Sequence, residues 1–208
     1  MPYVFHEWPF PALLLPESPY NVRTALFFYL YPMQEVTIRQ IGVDDASALQ
    51  NISRNTFQEA FATENDAQNM EQYLTENLSI ERLTSELQAP CSQFYFAEVS
   101  GTPVGYLKVN YSACQTEPQG ENSLEIERIY ITKEHYGKGV AQALFQKAID
   151  IATIRNARNL WLGVWEHNYR ALAFYRKNGF VEFGRHVFML GADAQIDIMM
   201  RRELPMPA

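Results

Sequence analysis

The run "SLEIERIYITKEHYGKGVAQALFQKAI", residues 123–149, constrains the chain more than any other stretch. An alternating, β-branched strand pattern passes through a turn holding Gly137 and Gly139 straight into a helical pattern, with Leu144, Phe145, Ala148, Ile151 and Ala152 on one face. Strand, Gly-x-Gly, helix is an arrangement that faces backbone N–H groups toward an anion. The first helical turn leaves donors unpaired, and the macrodipole is positive there. Lys138 adds a point charge between the glycines. A dinucleotide fingerprint would need glycine where Gln142 stands, and a P-loop would need Ser or Thr after the Gly-Lys pair, where there is Gly139. A phosphate cradle and a purely structural strand-to-helix turn both account for this stretch.

The rest of the chain sets that turn in an α+β frame. "EVTIRQI" reads as a strand, after which Asp44 or Asp45 caps a helix carrying Leu49, Ile52, Phe57 and Phe61. A second helical region follows over residues 65–87. "FYFAEVSGTPVGYLKVNY" predicts two strands around a tight Ser100-Gly101 turn, and a Gly/Pro/Gln-rich loop at residues 116–122 leads into "SLEIERIYI". After the helix at residues 140–156 comes the buried-strand run "LWLGVW", then a helix over residues 168–178 closed by Gly179, then "FVEFGRHVFML" and "QIDIMMRREL". The order βααβββαβαββ, with antiparallel strands dominating its middle, predicts an α+β sheet rather than an alternating doubly wound one.

Composition narrows the function classes. A chain of 208 residues with 47% hydrophobic residues can bury one good core, so one domain is expected. The net charge of -7, with no dense Lys or Arg run, argues against a grip on nucleic-acid backbones. Cys91 and Cys114 lie in unlike contexts with no CxxC or Cys/His spacing, and the four histidines are scattered, so no metal is expected and a reducing cytoplasm is the natural home. Residues 1–32 hold six of the eleven prolines and nine aromatics, unlike everything after Met33. They are expected to be an N-terminal extension, either poorly ordered or translated from an upstream start, ahead of a domain at residues 33–208. Acidic residues before Arg23 and interrupting prolines do not fit a signal peptide, and the apolar piece at residues 25–31 is too short for a bilayer, so no membrane partner is expected.

A second motif raises the specificity. Residues Tyr136-Gly137-Lys138-Gly139-Val140-Ala141 fit the tail of the pattern (Gln/Arg)-x-x-Gly-x-(Gly/Ala), and Asn168-x-x-Ala171-x-x-Phe174-Tyr175-x-x-x-Gly179-Phe180 follows at the expected distance. Together they resemble the GNAT superfamily of acetyl-CoA-dependent N-acyltransferases. The resemblance covers residues 35–204 and implies a mixed, largely antiparallel sheet with helices on both faces. "SLEIERIYI", "GYLKVNY", "NLWLGVWEHNYRALAFY" and "QIDIMMRREL" look like the PaiA-type spermidine/spermine N-acetyltransferases. One departure is that Tyr136 stands where the family usually has Gln or Arg, which removes a polar contact to the pyrophosphate.

The resemblance implies that the strand at residues 123–131 splays from the strand at residues 160–164 and that acetyl-CoA lies in the gap. Its arm would pair with the backbone of Ile129, Tyr130 and Ile131, and its pyrophosphate would rest on Tyr136, Gly137, Lys138, Gly139, Val140, Ala141 and Gln142. Asn168 would bond the pantetheine arm or nearby backbone, with a helix N-cap as the alternative role. An attacking amine must lose a proton. Glu125 and Glu127 alternate onto one strand face, with Glu127 the preferred base and Glu125 the alternative. A backbone N–H near Ile129 would hold the oxyanion, and Tyr175 would protonate the departing thiolate. The expected partner is a small amine, a polyamine above others, with acids at Glu59, Glu64, Asp66, Glu71 and Glu76 as candidate contacts for its distal nitrogens and Trp165 and Tyr130 as cation–π surfaces. A homodimer is left open. Rival readings are acetylation of a peptide N-terminus, an amino acid or another small amine, and a non-catalytic acyl-CoA-binding regulator.

Overall fold

The computed structural model describes residues 35–120 and 122–205. The expectation for the first 32 residues therefore lies outside the described part. Strand β1 (Val36–Ile41) leads through a 3-10 turn into helix α1 (Ala46–Phe61), followed by α2 (Ala67–Asn77) and α3 (Ile80–Gln88). Strands β2 (Ser92–Val99), β3 (Thr102–Tyr111) and β4 (Ser123–Ile131) come next, then α4 (Val140–Ile154), β5 (Asn159–Trp165), α5 (Tyr169–Lys177), β6 (Val181–Leu190) and β7 (Asp193–Glu203). The order differs from the expected one by one helix. The region at residues 65–87 is two helices because Ser79 restarts the chain, its hydroxyl accepting from the N–H of Arg82 at 3.2 Å. Asp66 caps the first of the pair, accepting from Gln68 and Asn69. Asp45 stands at the N-cap of α1, but its carboxylate binds the N–H of Gly42 and the guanidinium of Arg39 instead of capping the helix.

The seven strands form one sheet in the order β1-β2-β3-β4-β5-β7-β6, antiparallel everywhere except between β4 and β5. Helices cover both faces, so β2 is apolar on both of its faces over Phe94, Tyr95, Phe96 and Ala97, all buried. In β2, Tyr95 and Ala97 join the core beneath α4, where Leu144, Phe145 and Ala148 pack, while Phe94 and Phe96 join the core beneath α1, α2 and α3, with Leu49, Leu74 and Leu83. The hairpin turns on Ser100 and Gly101, both at positive φ, as a two-residue type I′ turn needs. Cys91 and Cys114 are bonded as a disulfide with Cα atoms 5.5 Å apart. Neither cysteine's local sequence announces the pairing; the β2–β3 hairpin folds the two ends of that segment together. Among the described residues, no helix is long and apolar enough to cross a membrane.

Candidate active site

Strand β4 is paired with β5 at only three positions, Ser123 with Asn159, Leu124 with Leu160 and Glu125 with Trp161, after which the two strands part. Beyond Glu125 the edge of β4 that faces β5 has no strand partner among the described residues. The register of β4 on β3 also slips between Lys108 and Val109, which face Arg128 and Ile126, so Glu127 is the extra residue of a bulge. Leu124 and Ile126 face the α4 side before the bulge, and Ile129 and Ile131 face it afterwards. Tyr130 packs on the opposite side, among the α1–α3 residues. Strand parting and bulge together open a cavity of about 450 Å³ whose walls include Glu125, Glu127, Ile129, Tyr130, Asn168 and Tyr175.

The two glutamates meet at one buried amide. Asn110 Nδ2 on β3 donates to Glu125 at 3.0 Å and to Glu127 at 2.5 Å, while its Oδ1 accepts from Ser92 Oγ at 2.7 Å. Glu125 is 2% exposed and accepts further bonds from the backbone N–H and the hydroxyl of Thr116. Burial pushes its carboxyl above the ordinary value, with the Thr116 and Asn110 bonds opposing and the neighbouring Glu127 charge adding to the rise. Glu127 sits otherwise. Lys108 Nζ lies 2.6 Å from one of its oxygens and Arg128 3.0 Å from the other. Glu86 of α3 completes a four-charge cluster, 2.9 Å from Lys108 and 2.8 Å from Arg128. Burial works against ionised Glu86, yet Arg128 and Lys108 hold its carboxyl below the usual value. The preference for Glu127 as the base runs against these surroundings, because two cations already share its charge.

At the turn, Gly137 and Gly139 have φ of 74° and 84°, left-handed values that a side chain resists, and a Cβ on either would meet open space. The first intrahelical bond there runs from the N–H of Ala143 to the carbonyl of Gly139 at 3.0 Å, so the N–H groups of Val140, Ala141 and Gln142 precede the hydrogen-bonded ladder. These features fit a pyrophosphate: a helix start, open space above two glycines, and Lys138 alongside. Tyr136, the departure from the family pattern, carries the guanidinium of Arg170 over its ring at 3.5 Å. Arg170 reaches it from the start of α5, bringing a cation to this position by another route.

Helix α5 supplies the other wall. Asn168 is its N-cap, with Oδ1 accepting from the N–H of Ala171 at 3.2 Å. Gly179, at φ 84°, ends the helix, and the N–H of Phe180 returns to the carbonyl of Tyr175 at 3.1 Å. Tyr175 is 6% exposed, and burial raises its phenol, which stays protonated across the physiological range. Several residues in the cavity wall and behind it were not anticipated from sequence. Lys108, Asn110 and Thr116 carry the polar network, and His186 of β6 lies 2.9 Å from Glu117 and 3.4 Å from Asp197 of β7. The bond to Asp197 raises the His186 imidazole against the opposing effect of burial, with Glu117 adding to the rise. The available signal was the polar pair at alternate positions of the apolar strand "GYLKVNY", since a lysine and an asparagine facing a core need partners there. The helix acids are elsewhere: Glu64, Asp66, Glu71 and Glu76 are exposed, Glu59 accepts from the N–H of Lys133, and none of the five lines the cavity.

Comparison with known proteins gives these features a family. The family model described as "Acetyltransferase (GNAT) family" matches residues 47–180. A protein of Lactobacillus delbrueckii subsp. lactis, described as an uncharacterized N-acetyltransferase in the pepI 3' region, is 38% identical over 172 residues, 83% of this chain and 99% of that one. The spermidine N(1)-acetyltransferase of Thermoplasma acidophilum is 24% identical over 149 residues, 70% of this chain and 88% of that protein. Among solved structures, the PaiA N-acetyltransferase of the same organism in complex with coenzyme A superimposes with a TM-score of 0.69 at 22% identity, covering 82% of this chain and 99% of that one. That superposition is a likeness of fold. A family match across residues 47–180, joined to a relative at 38% identity over almost its whole length, leads to one conclusion: the chain belongs to the GNAT family and is an N-acetyltransferase.

Proposed function

We propose that the chain transfers acetyl from acetyl-CoA directly to a primary amine, with Glu125 receiving the amine's proton and Tyr175 protonating the thiolate that leaves. Acetyl-CoA, when bound, supplies an acyl group activated as a thioester. The N–H groups at residues 137–142, with Lys138 and Arg170, hold its phosphates, and the unpaired edge of β4 at Ile129 and Ile131 receives its arm. An alkylammonium of pKa about 10.4 is only about 0.1% neutral at pH 7.4, so a proton acceptor at the site is a chemical necessity. The observation that carries this reading is Glu125. It is a buried carboxylate where β4 leaves β5, raised by burial, on the same cavity as Tyr175. A base with a raised pKa takes a proton from an ammonium more readily than an exposed carboxylate does.

A polyamine such as spermidine or spermine is the second reading for the acceptor, supported by the name of the Thermoplasma relative. We place the reaction in the cytoplasm because an acetyl-CoA-dependent enzyme meets its co-substrate there, although the Cys91–Cys114 bond runs against the reducing home expected from those cysteines. The test is free-thiol release from acetyl-CoA across spermine, spermidine, putrescine, lysine, an alanine-starting peptide and simple arylalkylamines. Amine-dependent thiol release with a matching acetylated product is the expected result. Binding of acetyl-CoA with no turnover on any amine would overturn the reading and leave an acyl-CoA-binding regulator in its place.

A further inference from the structure

The acceptor side of the cavity is walled by aromatic rings brought from five elements. Phe57 and Phe61 of α1, Tyr73 of α2, Tyr130 of β4, Trp165 of β5 and Phe188 of β6 all line it. They touch one another in a continuous surface. Phe57 stacks on Tyr73 with centroids 4.4 Å apart, Tyr73 meets Phe188 at 5.5 Å, and Phe61 stands edge-on to Trp165 at 5.9 Å and to Tyr130 at 6.1 Å. Burial raises the phenols of Tyr73 and Tyr130, so this wall stays uncharged.

Every carboxylate that lines the same cavity already has its partners. Glu127 is shared by Lys108 and Arg128, Glu117 and Asp197 flank His186, and Glu125 takes its bonds from Asn110 and Thr116. Arg82 and Arg128 also line the cavity, each paired with Glu86, so the lining adds no unpaired negative charge there. A second or third ammonium of a polyamine would thus meet carboxylates that already have partners, neutral acceptors such as Asn77 and Gln195, and the aromatic faces. A flat ring faces the opposite balance, since aromatic edges and faces are what the wall offers.

Resting on the transferase reading, we propose that the acceptor is an arylalkylamine, a primary amine with a single positive charge whose aromatic body lies on the wall formed by Phe57, Phe61, Tyr73 and Phe188 while its nitrogen reaches Glu125. The reaction is unchanged: the ammonium gives one proton to Glu125, the nitrogen bonds to the acetyl carbon, the carbon–sulfur bond breaks, the thiolate takes a proton from Tyr175, and the second proton released by the nitrogen returns to Tyr175.

The experiment compares kcat/KM for phenethylamine, tyramine, ethylamine, spermidine and spermine, with the dissociation constant of each amine measured by calorimetry in the presence of coenzyme A. The expected result is a kcat/KM for the arylalkylamines at least about 30-fold above ethylamine and spermidine, the scale set by burying one ring. With phenethylamine as acceptor, Phe61→Ala should raise KM about tenfold with a smaller change in kcat, and Phe61→Tyr, which keeps the ring, should restore it. Spermidine or spermine turned over as well as or better than the arylalkylamines would overturn this proposal and leave the transferase reading standing. Bound acetyl-CoA with no amine acetylated would overturn both.

Discussion

Two positions separate Glu125 from Glu127 on β4, and their surroundings differ. The first is buried among neutral donors, and the second is shared between two cations. Glu125→Gln is therefore expected to lower kcat by about 10²-fold, the usual scale for loss of a general base, with the affinity for acetyl-CoA unchanged. The raised carboxyl also predicts two pH effects of opposite sign. As a base it must be ionised, so kcat/KM should fall as pH drops through a value above the ordinary 4.5. The folded protein holds this proton more tightly than the unfolded chain does, so its contribution to stability is greatest at low pH and is lost as pH rises from about 4.5 through the folded-state value. Glu125→Gln should remove both effects together. An acid limb of kcat/KM that survives the substitution would assign the proton to another group.

At the scale of elements, the site depends on how α3, α4 and α5 are tied to the sheet. Glu86 is the sole carboxylate from α3 in the Lys108–Arg128 cluster, and it faces two cations that are buried with it. Glu86→Gln removes the charge and leaves those cations with Glu127 alone, so we expect a loss of about 3 to 5 kcal/mol, read as a shift in the midpoint of urea unfolding. A loss below about 1 kcal/mol would mean the cluster is solvated. The starts of α4 and α5 converge on the phosphate turn through Tyr136 and Arg170. Arg170→Ala should weaken coenzyme A about tenfold by calorimetry while leaving acetyl-pantetheine, which lacks phosphate, within about twofold. Equal weakening of both ligands would place Arg170 on the arm instead of the phosphates. Periodicity made most of these elements legible in the sequence because it is local: the β2–β3 hairpin, the Gly179 helix end and the glycine turn were all readable from neighbouring residues. Ser79 was harder to see, since it restarts a helix within an apolar pattern that continues on both sides. Glu86, Lys108 and Arg128 were illegible as a group, because only the sheet brings a helix glutamate to two strands.

Across the whole molecule, the part of the site least visible in sequence is the link between the covalent bond at one end of the sheet and the proposed base. Cys91 precedes β2 and Cys114 closes the 3-10 turn after β3, 23 residues apart, so neither position alone signals the other. The bond fixes the start of the loop that carries Gln115 and Thr116. Gln115 Oε1 accepts from Trp161 Nε1 at 2.7 Å, and Thr116 donates twice to Glu125. In a reducing compartment such a bond opens, and that loop is then held by its hydrogen bonds alone. Closing a loop of this length is worth about 3 kcal/mol, so the Cys91→Ser, Cys114→Ser double variant should unfold several degrees earlier than the oxidised protein and at the temperature of the protein treated with dithiothreitol. Reduction should also lower kcat, because a looser Thr116 no longer fixes the Glu125 carboxylate, whereas the dissociation constant of coenzyme A, which we propose is set at the far turn by Gly137 and Gly139, should stay within about twofold. Unchanged kcat in both the reduced protein and the double variant would show that the loop's hydrogen bonds hold Thr116 against Glu125 without the disulfide.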